Sequence, residues 1–148
     1  MFNNNTPKFA DNPECIYDCA ETQTSIHYIK KEEEWWVSDT SGIYSNQRRG
    51  YLTIHGMPEK PPDTTTRYWE LWIGNDGNYK EDKVTPKLFQ ISPFVYVNYV
   101  GEDEILIHVD EREIKNSCKF SGDLSKICGL YVKRSKIYQS KIHNAKHK

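Results

Sequence analysis

The sequence predicts an all-β domain, an antiparallel β-sandwich or jelly roll of about ten short strands. Hydrophobicity alternates with period two almost everywhere along the chain. Gly, Pro, Asn and Asp break the apolar stretches at intervals of roughly 8–12 residues. No window places apolar residues at convincing helical spacing.

The first candidate strands are residues 25–30 and 35–38, the second carrying the adjacent pair Trp35-Trp36, which alternation points one inward and one outward. "YLTIH" follows, with Tyr51, Thr53 and His55 on one face and Leu52 and Ile54 on the other. "GMPEKPPDTT" cannot continue a strand or helix through Pro58, Pro61 and Pro62, so it reads as a rigid surface loop. "RYWELWIG" then puts Trp69, Leu71 and Ile73 on one face and Tyr68, Glu70 and Trp72 on the other. "NDGN" supplies residues that tolerate the positive φ of a tight turn. Residues 87–91 form the next candidate strand. "FVYVNYV" sets Val95, Val97 and Tyr99 against Phe94, Tyr96 and Asn98, and "EILIHVD" sets Ile105, Ile107 and Val109 against Leu106, His108 and Asp110. Residues 127–132 and 137–142 close the series. These boundaries divide the chain into an N-terminal extension at 1–24, a sandwich at 25–142 and a basic tail at 143–148.

With 148 residues the chain is long enough for one domain that buries roughly 68–70% of its unfolded surface. Its apolar fraction is only 36%, but 13% of residues are aromatic, and each large ring removes about 150–250 Å² from water. A net charge of −1 gives no reason to expect nucleic-acid binding, although residues from Lys133 onward carry six Lys/Arg, two His and no acid. No apolar run of roughly 18 residues exists to span a membrane. The opening "MFNNNTPKFADNPEC" lacks the basic and apolar regions of a signal peptide.

Four cysteines, Cys15, Cys19, Cys118 and Cys128, make an even count at spacings unlike a zinc knuckle. Disulfides are favoured over buried free thiols, and free thiols over metal. A bridge from the Cys15/Cys19 region to the Cys118/Cys128 region would staple the extension to the body. This cysteine usage favours an extracellular or secretory setting over a cytoplasmic one, whereas the single sequon at Asn4-Asn5-Thr6 is a pattern common enough by chance to add little.

Glycine-rich turns leading into helices, which nucleotide and methyl-donor sites require, are missing, as are the common hydrolase and metalloprotease motifs. No cofactor is expected. His27, His55 and His108 stand at unrelated spacings and read as surface or satisfied histidines. "DEREIK", residues 110–115, reads as a solvated, salt-bridged strand end. The best candidate for function is the aromatic segment. Tyr68, Glu70 and Trp72 mix two rings with a carboxylate on the non-core face, and Asn75 and Asp76 offer hydrogen bonds at its edge. Such a face suits stacking on a sugar or a partner side chain. Alternatively it is a second core, covered by the N-terminal segment or another subunit.

"GYLTIHGMPEKPPDTTTRYWELWIGNDGNYKEDKV" resembles the farnesoic acid O-methyltransferase-like domain of arthropods and other animals. That family has a strand, a Pro/Thr/Glu loop, a strand reading Y-E-(I/L)-x-I-G and a Gly/Asn turn. Trp69 to Gly74, with Gly77-Asn78, occupy the matching places. "FVYVNYVGEDEILIHVDERE" continues in the family's order, with Arg112-Glu113 at its R-E, and "KICGLYV" echoes a later segment. The C-terminal "RSKIYQSKIH" departs from the family's Trp/Gly-rich final strand. The resemblance implies a β-sandwich binding module that lacks methyltransferase architecture despite the family name. "LTIHGMP" and "PFVYVNYVGEDEILIHVDEREI" with "LSKICGLYV" also resemble the strand order of galectins, although the segment between Gly77 and Phe94 is too short for their sugar-binding strand pair. The expected function is a non-catalytic recognition module with carbohydrate as its candidate ligand. The alternative is a structural or protein-interaction domain whose aromatic face is buried against a partner.

Overall fold

A computed structural model describes residues 16–44, 50–73, 89–117 and 124–135. Nine strands lie in these segments: β1 (Ile16–Cys19), β2 (Thr24–Ile29), β3 (Glu34–Asp39), β4 (Leu52–His55), β5 (Glu70–Trp72), β6 (Phe89–Ile91), β7 (Val95–Gly101), β8 (Glu104–Val109) and β9 (Leu130–Arg134). A 3-10 turn, Thr40–Tyr44, follows β3, and one helix, α1 (Glu111–Ser117), follows β8.

The all-β expectation holds, but among the described residues the strands form one sheet and not two. All nine strands join a single antiparallel sheet in the order β6-β5-β4-β3-β2-β1-β9-β8-β7. Its two edge strands, β6 and β7, are consecutive in the chain and joined only by Ser92, Pro93 and Phe94. Laid flat, nine strands would separate the edges by roughly 38 Å, given a spacing of about 4.8 Å. Four residue steps span at most roughly 14 Å. The sheet therefore has to curl into a half-barrel, which brings its edges together. Ser92 N donates to Trp69 O at 3.0 Å on one side of the link, and Asp110 N donates to Phe94 O at 2.9 Å on the other.

Curling encloses one face. Tyr17, Ile26, Val37, Leu52 and Leu71 stand in register across β1–β5, all buried. Opposite them Val95 pairs with Val109, Val97 with Ile107, and Tyr99 with Ile105. Ile114 of α1, together with Leu124 and Ile127, completes one continuous core. The alternation read from "YLTIH", "FVYVNYV" and "EILIHVD" is the alternation of this sheet.

The proline-rich loop closes one end of the half-barrel. Tyr28 OH donates to Gly56 O (3.0 Å), Trp35 Nε1 to Met57 O (2.8 Å), Tyr99 OH to Pro61 O (2.8 Å) and Trp69 Nε1 to Pro62 O (2.8 Å). Proline removes backbone donors but leaves carbonyls as acceptors, and buried Tyr and Trp rings need acceptors for their polar tips. Thr64 N also donates to Val97 O at 2.9 Å, covering part of the β7 edge. Burial, with Tyr17 and Asp63 nearby, pushes the Tyr99 phenol well above its ordinary pKa, so it remains a donor.

Three expectations are corrected here. β1 lies inside the stretch read as an extension, yet it is an interior strand between β2 and β9. "DEREIK" is helical, not a strand end. Asp110 caps α1, accepting from Glu113 N at 3.2 Å through its side chain and from Ile114 N at 3.0 Å through its carbonyl. The 127–132 strand is shifted, since Ile127 sits in a turn and β9 begins at Leu130. The 137–142 candidate lies outside the described residues.

Candidate functional site

Trp69 is completely buried, as strand parity requires. Parity also holds for the opposite face. Glu70 pairs with Thr53 and with Ile91, and Trp72 pairs with Phe89. The expectation that this face meets solvent fails at Trp72, which is only 6% exposed. Its ring meets Phe89 edge-on at 5.2 Å, and Phe89 meets Trp36 edge-on at 5.3 Å. Trp36 is therefore as buried as Trp35, contrary to the one-in, one-out reading. Tyr68 is 45% exposed and Glu70 is half-buried, so Tyr68, Glu70 and Trp72 do not form one open platform. Asn75 and Asp76 lie outside the described residues.

The second face of β1–β4 is a core in its own right. One row across the sheet runs Ile16, His27, Trp36, Thr53, Glu70, Ile91. Its first four members are buried, Glu70 is half-buried and Ile91 is exposed. Polar groups on the buried part are mostly satisfied locally. Ser25 Oγ donates to Asp18 Oδ1 (2.8 Å) and lies 2.8 Å from Thr40 Oγ1, and Thr53 Oγ1 donates to Trp35 O (3.1 Å). Two exceptions are His27 Nδ1 and Trp72 Nε1, which have no hydrogen-bond partner among the described residues. Burial lowers the His27 pKa from 6.5 to about 4, which keeps the ring neutral at ordinary pH.

The open aromatic surface is elsewhere. On the outer face of β7, β8 and β9, Tyr96 pairs with His108, and Asn98, Leu106 and Tyr131 form a row. The Tyr96 and His108 rings stack at 6.2 Å and 23°. Tyr131 is exposed, Lys133 Nζ lies 5.7 Å from its ring centroid, and Lys133 is 3.6 Å from Glu104. A hydrogen bond with Glu104 raises the Tyr131 phenol pKa. Rings that can stack therefore stand beside an amide, a carboxylate and an ammonium group on a stiff three-stranded support. Sequence parity puts Tyr96 with Asn98 on one strand and Leu106 with His108 on the next; the pairing of the two strands and which faces the curl leaves open carried no sequence signal.

Cys19 and Cys128 are free thiols, the former half-buried and the latter exposed. Cys15 and Cys118 lie outside the described residues. Among the described residues no cluster of His, Cys, Asp and Glu is arranged to hold a metal, and no helix is long and apolar enough to cross a membrane. Comparison of the chain with family models, with curated proteins and with solved structures gives no match.

Proposed function

We propose that the protein is a non-catalytic recognition module that binds carbohydrate across the outer face of β7–β9. The carrying observation is the exposure of Tyr96 and Tyr131 on one rigid face, next to Asn98, His108, Glu104 and Lys133, while the corresponding face of β1–β4 is buried. Sugars combine an apolar C–H face with hydroxyls, and they are held by ring stacking plus a few fixed polar groups. The groups with large pKa displacements downward or upward, His27 and Tyr99, lie in the two cores, not on this face. A binding module is also what the likeness to the farnesoic acid O-methyltransferase-like domain implies.

A glycan array probed with the wild-type protein and with Tyr96→Ala/Tyr131→Ala tests the proposal. Both side chains are exposed, so the double variant should keep its fold and lose binding. If the wild-type protein binds no glycan, or the double variant binds as well as wild type, the proposal fails.

A further inference from the structure

The outer face of β7–β9 has the dimensions of an extended ligand. Tyr96 lies in register with His108, one row away from the row of Asn98, Leu106 and Tyr131. The two tyrosines therefore stand two strands and one row apart. With strands about 4.8 Å apart and rows about 6.8 Å apart, their Cα atoms are separated by roughly 12 Å. A single sugar ring is too short to stack on both. The first and third rings of an extended chain are spaced to do so.

The ground between the tyrosines is low and ordered. Leu106 is half-buried beneath that path. Asn98 Oδ1 accepts from Thr64 Oγ1 at 3.0 Å, which orients the amide so that Nδ2 can donate to a ligand hydroxyl. No wall rises on the β9 side. Continuing the register past Leu130 brings Gly129 beside His108, and a Cβ at Gly129 would meet nothing within 4 Å. A chain can thus run off the face in that direction. Charge on the face also cancels. Among its described residues Lys133 is matched by Glu104 at 3.6 Å, so a sugar carboxylate or sulfate gains little there. At the adjoining turn Asp103 pairs with Arg134 at 3.6 Å, and the exposed Glu102 opposes an anion.

Resting on the carbohydrate reading above, we infer that the site takes the interior of a linear, uncharged, extended glycan of at least three sugar rings, lying flat across β7, β8 and β9. The outer two rings stack on Tyr96 and Tyr131. The middle ring crosses Leu106, with a hydroxyl oxygen accepting from Asn98 Nδ2.

Cello-oligosaccharides and chito-oligosaccharides, from the monosaccharide to the pentasaccharide, serve as probes because both series are linear, uncharged and extended. Titration of the ¹⁵N-labelled protein, followed by amide chemical shifts, reads affinity and location together. Saturable shifts at Asn98, Leu106 and Tyr131 are expected with at least one series. Affinity should rise roughly a hundredfold from monosaccharide to trisaccharide, as the second ring platform is engaged by a linked contact. Tyr96→Ala and Tyr131→Ala, each alone, should return the trisaccharide to about the affinity of the monosaccharide, with amide dispersion confirming that the fold is intact. Monosaccharide binding, still served by the remaining tyrosine, should change only about twofold. A monosaccharide that binds as tightly as the trisaccharide overturns the inference and leaves the carbohydrate reading standing. So does a glycan array whose binders are all branched, all anionic or exclude both series. Single variants that bind the trisaccharide as well as wild type overturn the two-platform geometry. An array with no binder overturns both the inference and the reading beneath it.

Discussion

Lowering the pH should destabilise this fold through a single side chain, His27. In the folded protein its ring is buried between Ile16 and Trp36 in the second core, with Nδ1 unpartnered among the described residues, and it resists protonation until about pH 4. In the unfolded chain the same ring takes up a proton near its ordinary value of 6.5. Between these values the unfolded state binds more protons than the folded state, so stability falls as pH falls. The stability is fully present above 6.5 and is lost progressively towards 4. Each pH unit is worth about 1.4 kcal/mol, so the loss is about 2 kcal/mol by pH 5 and about 3 kcal/mol over the full window. Urea unfolding of wild type and His27→Phe at pH 7, 6 and 5 isolates this effect, because every other titrating group is common to both proteins. The wild-type curve should lose about 2 kcal/mol relative to the variant between pH 7 and pH 5. Parallel curves would refute the claim that His27 is held neutral by burial.

Three further outcomes follow from the packing. Gly50→Ala should lower stability by about 1–3 kcal/mol in denaturant unfolding, because the new Cβ would lie 2.5 Å from Val37 O and 2.9 Å from Trp36 Cε3. Trp72→Ala should cost about 3–5 kcal/mol in the same assay, the range for a large buried ring, whereas an exposed tryptophan would cost little. Cys128, being exposed and free, should react with a thiol reagent in the native protein, and Cys19 should react more slowly; peptide mapping after brief labelling distinguishes the two.

Much of the sheet is legible in the sequence because its core-facing side chains obey strict alternation. Leu52 and Ile54 against Thr53, or Val95 and Val97 against Tyr96, can be assigned without coordinates. Parity states which residues share a face, but not whether anything covers that face. Trp36 and Trp72 show the consequence, since both lie on the non-core side and both are buried by packing with Phe89. β2 is buried at every position from Thr24 to Tyr28, yet Ser25 and His27 keep its second face polar, so its sequence still reads as half-exposed. α1 left a signal that alternation concealed. Asp110 followed three residues later by Glu113 has the spacing of a capping box, and only Ile114 of the helix is buried, too few apolar positions to reveal a helical period. β1, four residues long and set in a polar segment, is stabilised by pairing with β9, a distant partner that no local pattern announces. Single-sheet topology is similarly hidden, because it depends on which edges meet across Ser92, Pro93 and Phe94.

The place of β9 between β8 and β1 orders the assembly of the molecule in time. β1 to β6 follow one another as neighbours and can zip locally, and β7 with β8 forms a hairpin of its own. Tyr17, however, meets its partner Arg134 only after nearly all the described chain has been made. During synthesis β1 has one paired side and one row of unsatisfied backbone groups, facing the gap that β9 will fill. Insertion of β9 joins the meander to the hairpin, and its long sequence separation makes that step the slow one. A newly made chain is accordingly most vulnerable to pairing with a foreign strand just before Leu130–Arg134 docks.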